Sequence, residues 1–183
     1  ETPGGANNTE HRPGPKEWYS HVGPNWAYAQ NTPFRRYKAH THEGGIATPL
    51  VARWPAKIKP GQVVHQVGHI IDFLPTFLDA ARGVYPAKSE KGDPLLPLEG
   101  ISLLGVLTGE KKKVPRSEPL FWHWSGHRAV RKGNLKGVWE KKGEAWELYD
   151  LSRDRTETRN LAEDQQAKTE ELARKWTAWA RMT

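Results

Sequence analysis

The sequence contains no cysteine in 183 residues. That excludes disulfides, thiolate nucleophiles and Cys-rich zinc sites, and it leaves the redox compartment unmarked. It also has no long hydrophobic run. No stretch approaches the roughly 20 apolar residues needed to span a bilayer, so no membrane partner is expected. Hydrophobic residues make up only 36% of the chain, and the mean hydropathy is −0.80. Methionine occurs once and phenylalanine four times, but nine tryptophans supply large apolar areas for a core. The first residue is Glu1, not methionine, so the absence of a visible signal peptide says nothing about export. No internal repeat and no RNA- or DNA-binding motif is present, and nucleic acid is not an expected partner. The length suits one domain, or one domain with a subdomain, and 14 prolines with 17 glycines predict long loops.

Acidic residues are scarce in one place. Between Glu110 and Lys142 ten Lys or Arg stand against three acidic residues, so this stretch holds the whole formal excess of +7. Such a run reads either as a solvated face or as a landing surface for a polyanion.

What is present concentrates around Phe34-Arg35-Arg36-Tyr37-Lys38-Ala39-His40-Thr41-His42-Glu43-Gly44-Gly45-Ile46, followed by an apolar run to Trp54-Pro55. In an extended backbone Lys38, His40 and His42 would share one face, because side chains alternate with period two. Gly44-Gly45 allows a sharp turn or a close backbone approach. Thr48 to Arg53 reads as a short strand. The stretch predicts a cationic, His-bearing loop suited to an anionic group such as sulfate or phosphate. Histidines at i and i+2 can ligate zinc, but no third ligand stands beside them, and no metal is assigned to this chain.

Glu1 to Pro33, rich in Gly and Pro, reads as a loop pinned by Trp18, Tyr19, Trp26 and Tyr28. Val63 to Gly68 reads as a strand. Asp72 can cap a helix that carries Pro75 in its first turn and ends before Gly83, with Leu74, Phe77, Leu78 and Ala81 as the buried stripe. Leu120–Trp124, His127–Lys132, Leu135–Lys141 and Ala145–Leu151 are strand-length runs parted by Ser125-Gly126, Gly133-Asn134 and Lys142-Gly143, which predicts a four-stranded antiparallel meander. A helix from about Gln165 closes the chain, burying Leu172, Ala173, Trp176, Trp179 and Ala180. His65, His69, His123 and His127 are isolated in pattern and read as hydrogen-bonded structural histidines.

Several of these segments resemble type I sulfatases, which hydrolyse sulfate esters with a formylglycine nucleophile and a calcium ion. Asn31-Thr32-Pro33-Phe34-Arg35, Lys38, His42-Glu43-Gly44-Gly45-Ile46, Pro49 and Trp54-Pro55 resemble the lysine and E-G-G-I segment. Ile71-Asp72-Phe73-Leu74-Pro75-Thr76 resembles the family's I-D-L-x-P-T helix start, and Gly100-Ile101-Ser102-Leu103 its G-x-S-L element. Trp146 to Ala162 resembles the E-L-Y-D-L-x-x-D-x-x-E-x-x-N-L-A stretch. One departure is Trp124, which stands where relatives often carry histidine in F-W-E-H-E-G-N-R-A-V-R.

The resemblance implies an α/β fold: the C-terminal part of an alkaline-phosphatase-like sulfatase, ending in a four-stranded antiparallel sheet packed with a C-terminal helix. It implies a division into residues 1–109, the end of the catalytic α/β domain, and 110–183, a C-terminal subdomain. The resemblance implies that Lys38, which stands at the family lysine's spacing before Glu43, is the sulfate-contacting catalytic residue; His40 and His42 beside it are the substrate-binding candidates. The C-x-P-S-R or S-x-P-S-R source of formylglycine and the Asp-Asp and Asp-Asn calcium ligands are absent from this sequence. The resemblance thus implies an N-terminal half that supplies nucleophile and calcium, an inert isolated chain, a sulfate ester or sulfated glycan as substrate, and a periplasmic or secreted location. A phosphate or phosphonate monoester hydrolase of the same superfamily, or a polyanion-binding module, is the alternative.

Overall fold

The computed structural model describes residues 23–182. The expected loop over residues 1–22, with Trp18 and Tyr19, lies outside the described residues. By its internal contacts the chain forms two compact units. In one, the described residues up to Thr48 join those from Pro119 onward; the other is Pro49–Glu118.

The first unit is organised by the meander. Strands β1 (Leu120–Trp124), β2 (His127–Lys132), β3 (Leu135–Trp139) and β4 (Glu147–Asp150) pair in sequence order, each antiparallel to the last. Two-residue turns set the register. Ser125 and Gly126 both take positive φ, 50° and 89°, which matches the twist of the flanking strands and pairs Trp124 with His127. Period-two alternation then sorts the side chains. Val130 and Leu148 meet Leu172 and Trp176 of the closing helix, with Phe121 and Trp179 stacked at the edge. Ala129, Val138 and Tyr149 pack with Trp122 on the opposite face. The helix is labelled α5 (Gln166–Ala180) in chain order, and its Trp176 indole N–H donates to the Trp122 carbonyl at 3.0 Å. The sheet is therefore covered on both faces: α5 on one, and residues 35–46 on the other.

Residues 23–30, read as loop from sequence, form helix α1 (Gly23–Gln30). Pro24 sits in its first turn, where the missing N–H is no loss.

In the second unit, a 3-10 turn (Ile70–Asp72) leads into α3 (Phe73–Ala81), and the short α4 (Leu104–Leu107) follows. Buried Asp72 is the hub. Its carboxylate accepts from the His69 N–H at 2.8 Å, the Ile101 N–H at 2.9 Å and the Arg116 guanidinium. The Thr76 hydroxyl donates to the Asp72 carbonyl and accepts from the Leu103 N–H, so the two motif-like segments lock together. The Asp72 side chain, turned to its other partners, does not make the expected capping bond to α3. Two expectations fail here. Thr48–Arg53 and Val63–Gly68 are not strands, since a strand exists only through a ladder partner and no described segment offers them one. The apolar stripe of α3 is largely uncovered too: Thr76 is buried, whereas Leu74 and Phe77 are exposed.

Candidate active site

The loop ahead of Gly44-Gly45 is not extended. Arg36 and Ala39 take positive φ, 67° and 80°, and the backbone folds back so that the Gly44 N–H reaches the Arg35 carbonyl at 2.9 Å and the His40 N–H the Tyr37 carbonyl at 3.1 Å. Residues Glu43–Ile46 make one helical turn, α2. The glycines serve this fold-back, because a Cβ at Gly44 would lie 2.2 Å from the Arg36 carbonyl oxygen, and one at Gly45 2.1 Å from that of His40. The single face expected for Lys38, His40 and His42 is lost with the extended conformation. Lys38 is exposed, His40 is half-buried and His42 is fully buried.

Charged side chains from the meander hold this loop. Lys136, with no side-chain exposure, places Nζ 2.8 Å from both Glu43 Oε1 and Glu157 Oε1. Glu157 Oε2 accepts from the Glu43 backbone N–H at 2.7 Å. Arg35 donates to the Tyr149 hydroxyl at 2.6 Å and to the Glu157 carbonyl at 3.3 Å. Glu147 Oε2 accepts from Tyr149 at 2.6 Å and lies 2.8 Å from His42 Nε2. Arg36 grips Glu140 bidentately, Nε to Oε1 at 2.8 Å and a terminal nitrogen to Oε2 at 2.7 Å, and Thr41 donates to the Arg128 carbonyl. Apart from the Tyr149–Glu147 bond within β4, these join widely separated residues and so fix tertiary position.

The electrostatics follow from burial and these partners. Burial is the largest influence on Glu147 and acts to raise its pKa, but the hydrogen bonds from His42 and Tyr149 and the Arg35 charge together outweigh it and hold the carboxyl at about 2. Tyr149 is pushed well up, first by burial and then by its bond to Glu147. His40 is lowered by burial, then by the nearby His127 and Arg36 charges, so its imidazole is neutral at neutral pH. The depressed Glu147 value sets a sign. A carboxyl at 4.5 when unfolded and about 2 when folded stabilises fully above pH 4.5 and loses that contribution as pH falls towards 2. Glu147→Gln should therefore be less stable than wild type at neutral pH, and the two urea midpoints should converge as pH drops below 4.5. A gap that stays constant with pH would show that the carboxylate charge is not what matters.

Lys38 and His40 line a cavity of about 230 Å³ together with Thr41, Trp122, His123 and Trp124. The tryptophans arrive there because Trp122 and Trp124 alternate onto the loop-covered face of β1, and Trp124 is 65% exposed. His42 does not line the cavity; it lies behind the loop against Glu147. The structure thus brings Lys38 and His40 to one opening and places His42 in the anchor. Sequence inspection missed Lys136 and Glu140, and it placed Glu147 and Glu157 in a family-like stretch without a role. The available signal was weak: Lys136 alternates with Val138, and Glu147 with Tyr149, on strands that bury that face.

The Glu110–Lys142 cation excess is not one free surface. Arg116 pairs with Asp72, Lys136 with Glu43 and Glu157, Lys132 with Glu171, and Arg128 lies over the rings of Trp139 and Trp176. Of the isolated histidines, His69 caps the turn before α3, His123 sits edge-on to Trp176, and His127 lies 4.7 Å from His40 between ring centroids.

A helix-backed antiparallel meander thus clamps a Lys- and Gly-Gly-bearing loop. The family described as N-sulphoglucosamine sulphohydrolase, C-terminal, matches residues 35–179, and the chain belongs to it. An uncharacterized sulfatase of Schizosaccharomyces pombe is 34% identical over 165 residues, covering 88% of this chain and 29% of the relative. An ulvan-active sulfatase of Formosa agariphila is 46% identical over 54 residues, 30% of this chain and 11% of that protein. Among solved structures, Ps i-CgsB in complex with k-i-k-neocarrahexaose superposes with a TM-score of 0.66 at 22% identity, covering 81% of this chain and 32% of that one. The chain spans under a third of the length of these proteins.

Sulfatases are generally formylglycine- and calcium-dependent. The sequence lacks the source of formylglycine, and the described residues do not fit calcium. It has no cysteine and no Ser within the required pattern. Calcium calls for six or more oxygen ligands; among the described residues, the one cluster of three potential ligands is His40, His127 and Glu140.

Proposed function

We propose that the intact protein is a sulfuric ester hydrolase and that this chain supplies the sulfate-contacting Lys38, with His40 at the substrate and His42 positioning the loop. The observation that carries the reading is the sulphohydrolase family match along residues 35–179, which contains Lys38 and its buried anchorage. An ammonium set against the non-bridging oxygens of a sulfate ester stabilises the charge of transfer where water is excluded. The nucleophile and calcium ligands would come from the rest of the protein, and the isolated chain would be inert. The family match favours sulfate over the phosphate or phosphonate alternative. Arg116, Arg128, Lys132 and Lys136 are engaged within the protein, whereas Lys111, Lys112, Lys113, Lys141 and Lys142 are exposed, so a polyanion-binding surface stays the alternative.

The expected division at residue 109/110 belongs to this proposal, as does a sulfated glycan substrate. The glycan is supported by the ulvan-active relative and by the Trp122 and Trp124 lining, whose ring faces suit sugar C–H surfaces. No described helix is long and apolar enough to cross a membrane; export to the periplasm or the exterior is part of the proposal.

The test is Lys38→Ala in the intact protein. Turnover of an aryl sulfate should fall by roughly tenfold or more, because a charge-assisted contact to the transferred group is lost. Wild-type turnover would refute the assignment.

A further inference from the structure

His40, His127 and Glu140 converge from three segments: the folded-back loop, the first residue of β2 and the residue after β3. The register makes two of them neighbours, since Arg128 pairs with Trp139 and the next residues outward are His127 and Glu140. Each offers a ligand atom within 4.8 Å of the other two. Zinc ligands at about 2.0–2.1 Å sit roughly 3.3 Å apart in a tetrahedron, so small side-chain rotations close the triad.

A second observation points into the same spot. The Nδ1 atoms of His40 and His42 are buried without a hydrogen-bond partner. They lie 3.4 Å and 3.6 Å from the same oxygen, Glu140 Oε1. Two imidazole nitrogens thus converge on one carboxylate oxygen without a hydrogen bond to it, an arrangement that a cation between them would satisfy. Arg36 occupies one position on each Glu140 oxygen, but a carboxylate offers about four lone-pair sites and keeps room for a metal. His127 Nδ1 has only a long 3.4 Å contact from the Lys141 N–H.

We infer that His40, His127 and Glu140 form a site for a tetrahedral divalent transition ion, zinc by its ligand chemistry, that ties the Lys38 loop to the open end of the β2–β3 hairpin. Two imidazoles and one carboxylate suit zinc and not calcium, which takes oxygen ligands. The fourth position is left for water. The sequence shows no such site because His40 lacks a third ligand nearby; the ligands become neighbours only through the fold.

The experiment is calorimetric titration of zinc into the full-length protein with calcium saturating, repeated with His127→Asn and Glu140→Gln. Circular dichroism checks that each variant folds, and Glu140→Gln keeps the shape that Arg36 grips. Cobalt(II) substitution reports the geometry through its visible bands. The expected result is one zinc per chain and tetrahedral cobalt bands, with binding at least about tenfold weaker in both variants. No uptake by the wild type, or uptake unchanged in the folded variants, overturns the site.

Discussion

Replacing Lys136 with methionine should destabilise the protein by about 3–5 kcal/mol, the range for removing one partner of a buried ion pair. The ammonium is fully enclosed and faces two carboxylates, those of Glu43 and Glu157, each also buried. Methionine fills similar volume but leaves both carboxylates in low dielectric without the ammonium they share. Arg155 approaches Glu43 only to 3.7 Å, and its side chain is 58% exposed, so it compensates little. Methionine cannot replace the lost charge, and protonating the carboxylates costs more the higher the pH. Denaturant unfolding should show the full loss at neutral pH. The triple variant Lys136→Met, Glu43→Gln, Glu157→Gln should recover most of it, because the uncompensated charge is gone. A single-variant loss under about 1 kcal/mol, the size of a surface pair, would mean that the triad is hydrated and does not act as a clamp.

The meander was legible because its information is local. Ser125-Gly126 and Gly133-Asn134 fix two-residue turns, and alternating Leu120, Trp122 and Trp124 declare a face; the structure pairs the strands as those signals require. The closing helix was legible from the spacing of Leu172 and Trp176. Thr48–Arg53 looks like a strand for the same local reasons, but pairing is not local, and the residues described provide no ladder. The loop geometry was hidden for another reason. Positive φ falls on Arg36 and Ala39, residue types that give no warning of it, and period-two alternation does not hold along a backbone that turns. The site was half legible. Lys38 and Gly44-Gly45 stand together in sequence, whereas Lys136 is 93 residues from Glu43, and Glu157 is 114 residues away. A lysine on a strand reads as solvated until the covering loop is known.

On the proposed sulfate-contacting role of Lys38, Gly45→Ala should lower turnover of the intact protein by roughly a hundredfold, the cost of an ångström-scale misplacement at a reacting centre. The added Cβ would stand 2.1 Å from the His40 carbonyl oxygen and 2.8 Å from that of Tyr37. Both are backbone atoms, so no rotamer change relieves the clash, and the Tyr37–His40 turn must open. That turn carries Lys38 at its second position and is closed by the His40 N–H on the Tyr37 carbonyl. Its far end cannot follow, because Glu43 is held by Lys136 and Glu157, and His42 by Glu147. The strain therefore falls on residues 37–40, which move Lys38 and His40 relative to any sulfate in the cavity. The effect should appear in kcat more than in KM, since a displaced ammonium loses what it does for the transition state before it loses ground-state attraction. Circular dichroism and a denaturation curve on the same sample separate this from simple unfolding. A folded Gly45→Ala protein with wild-type kcat would show that the fold-back does not position Lys38 for catalysis.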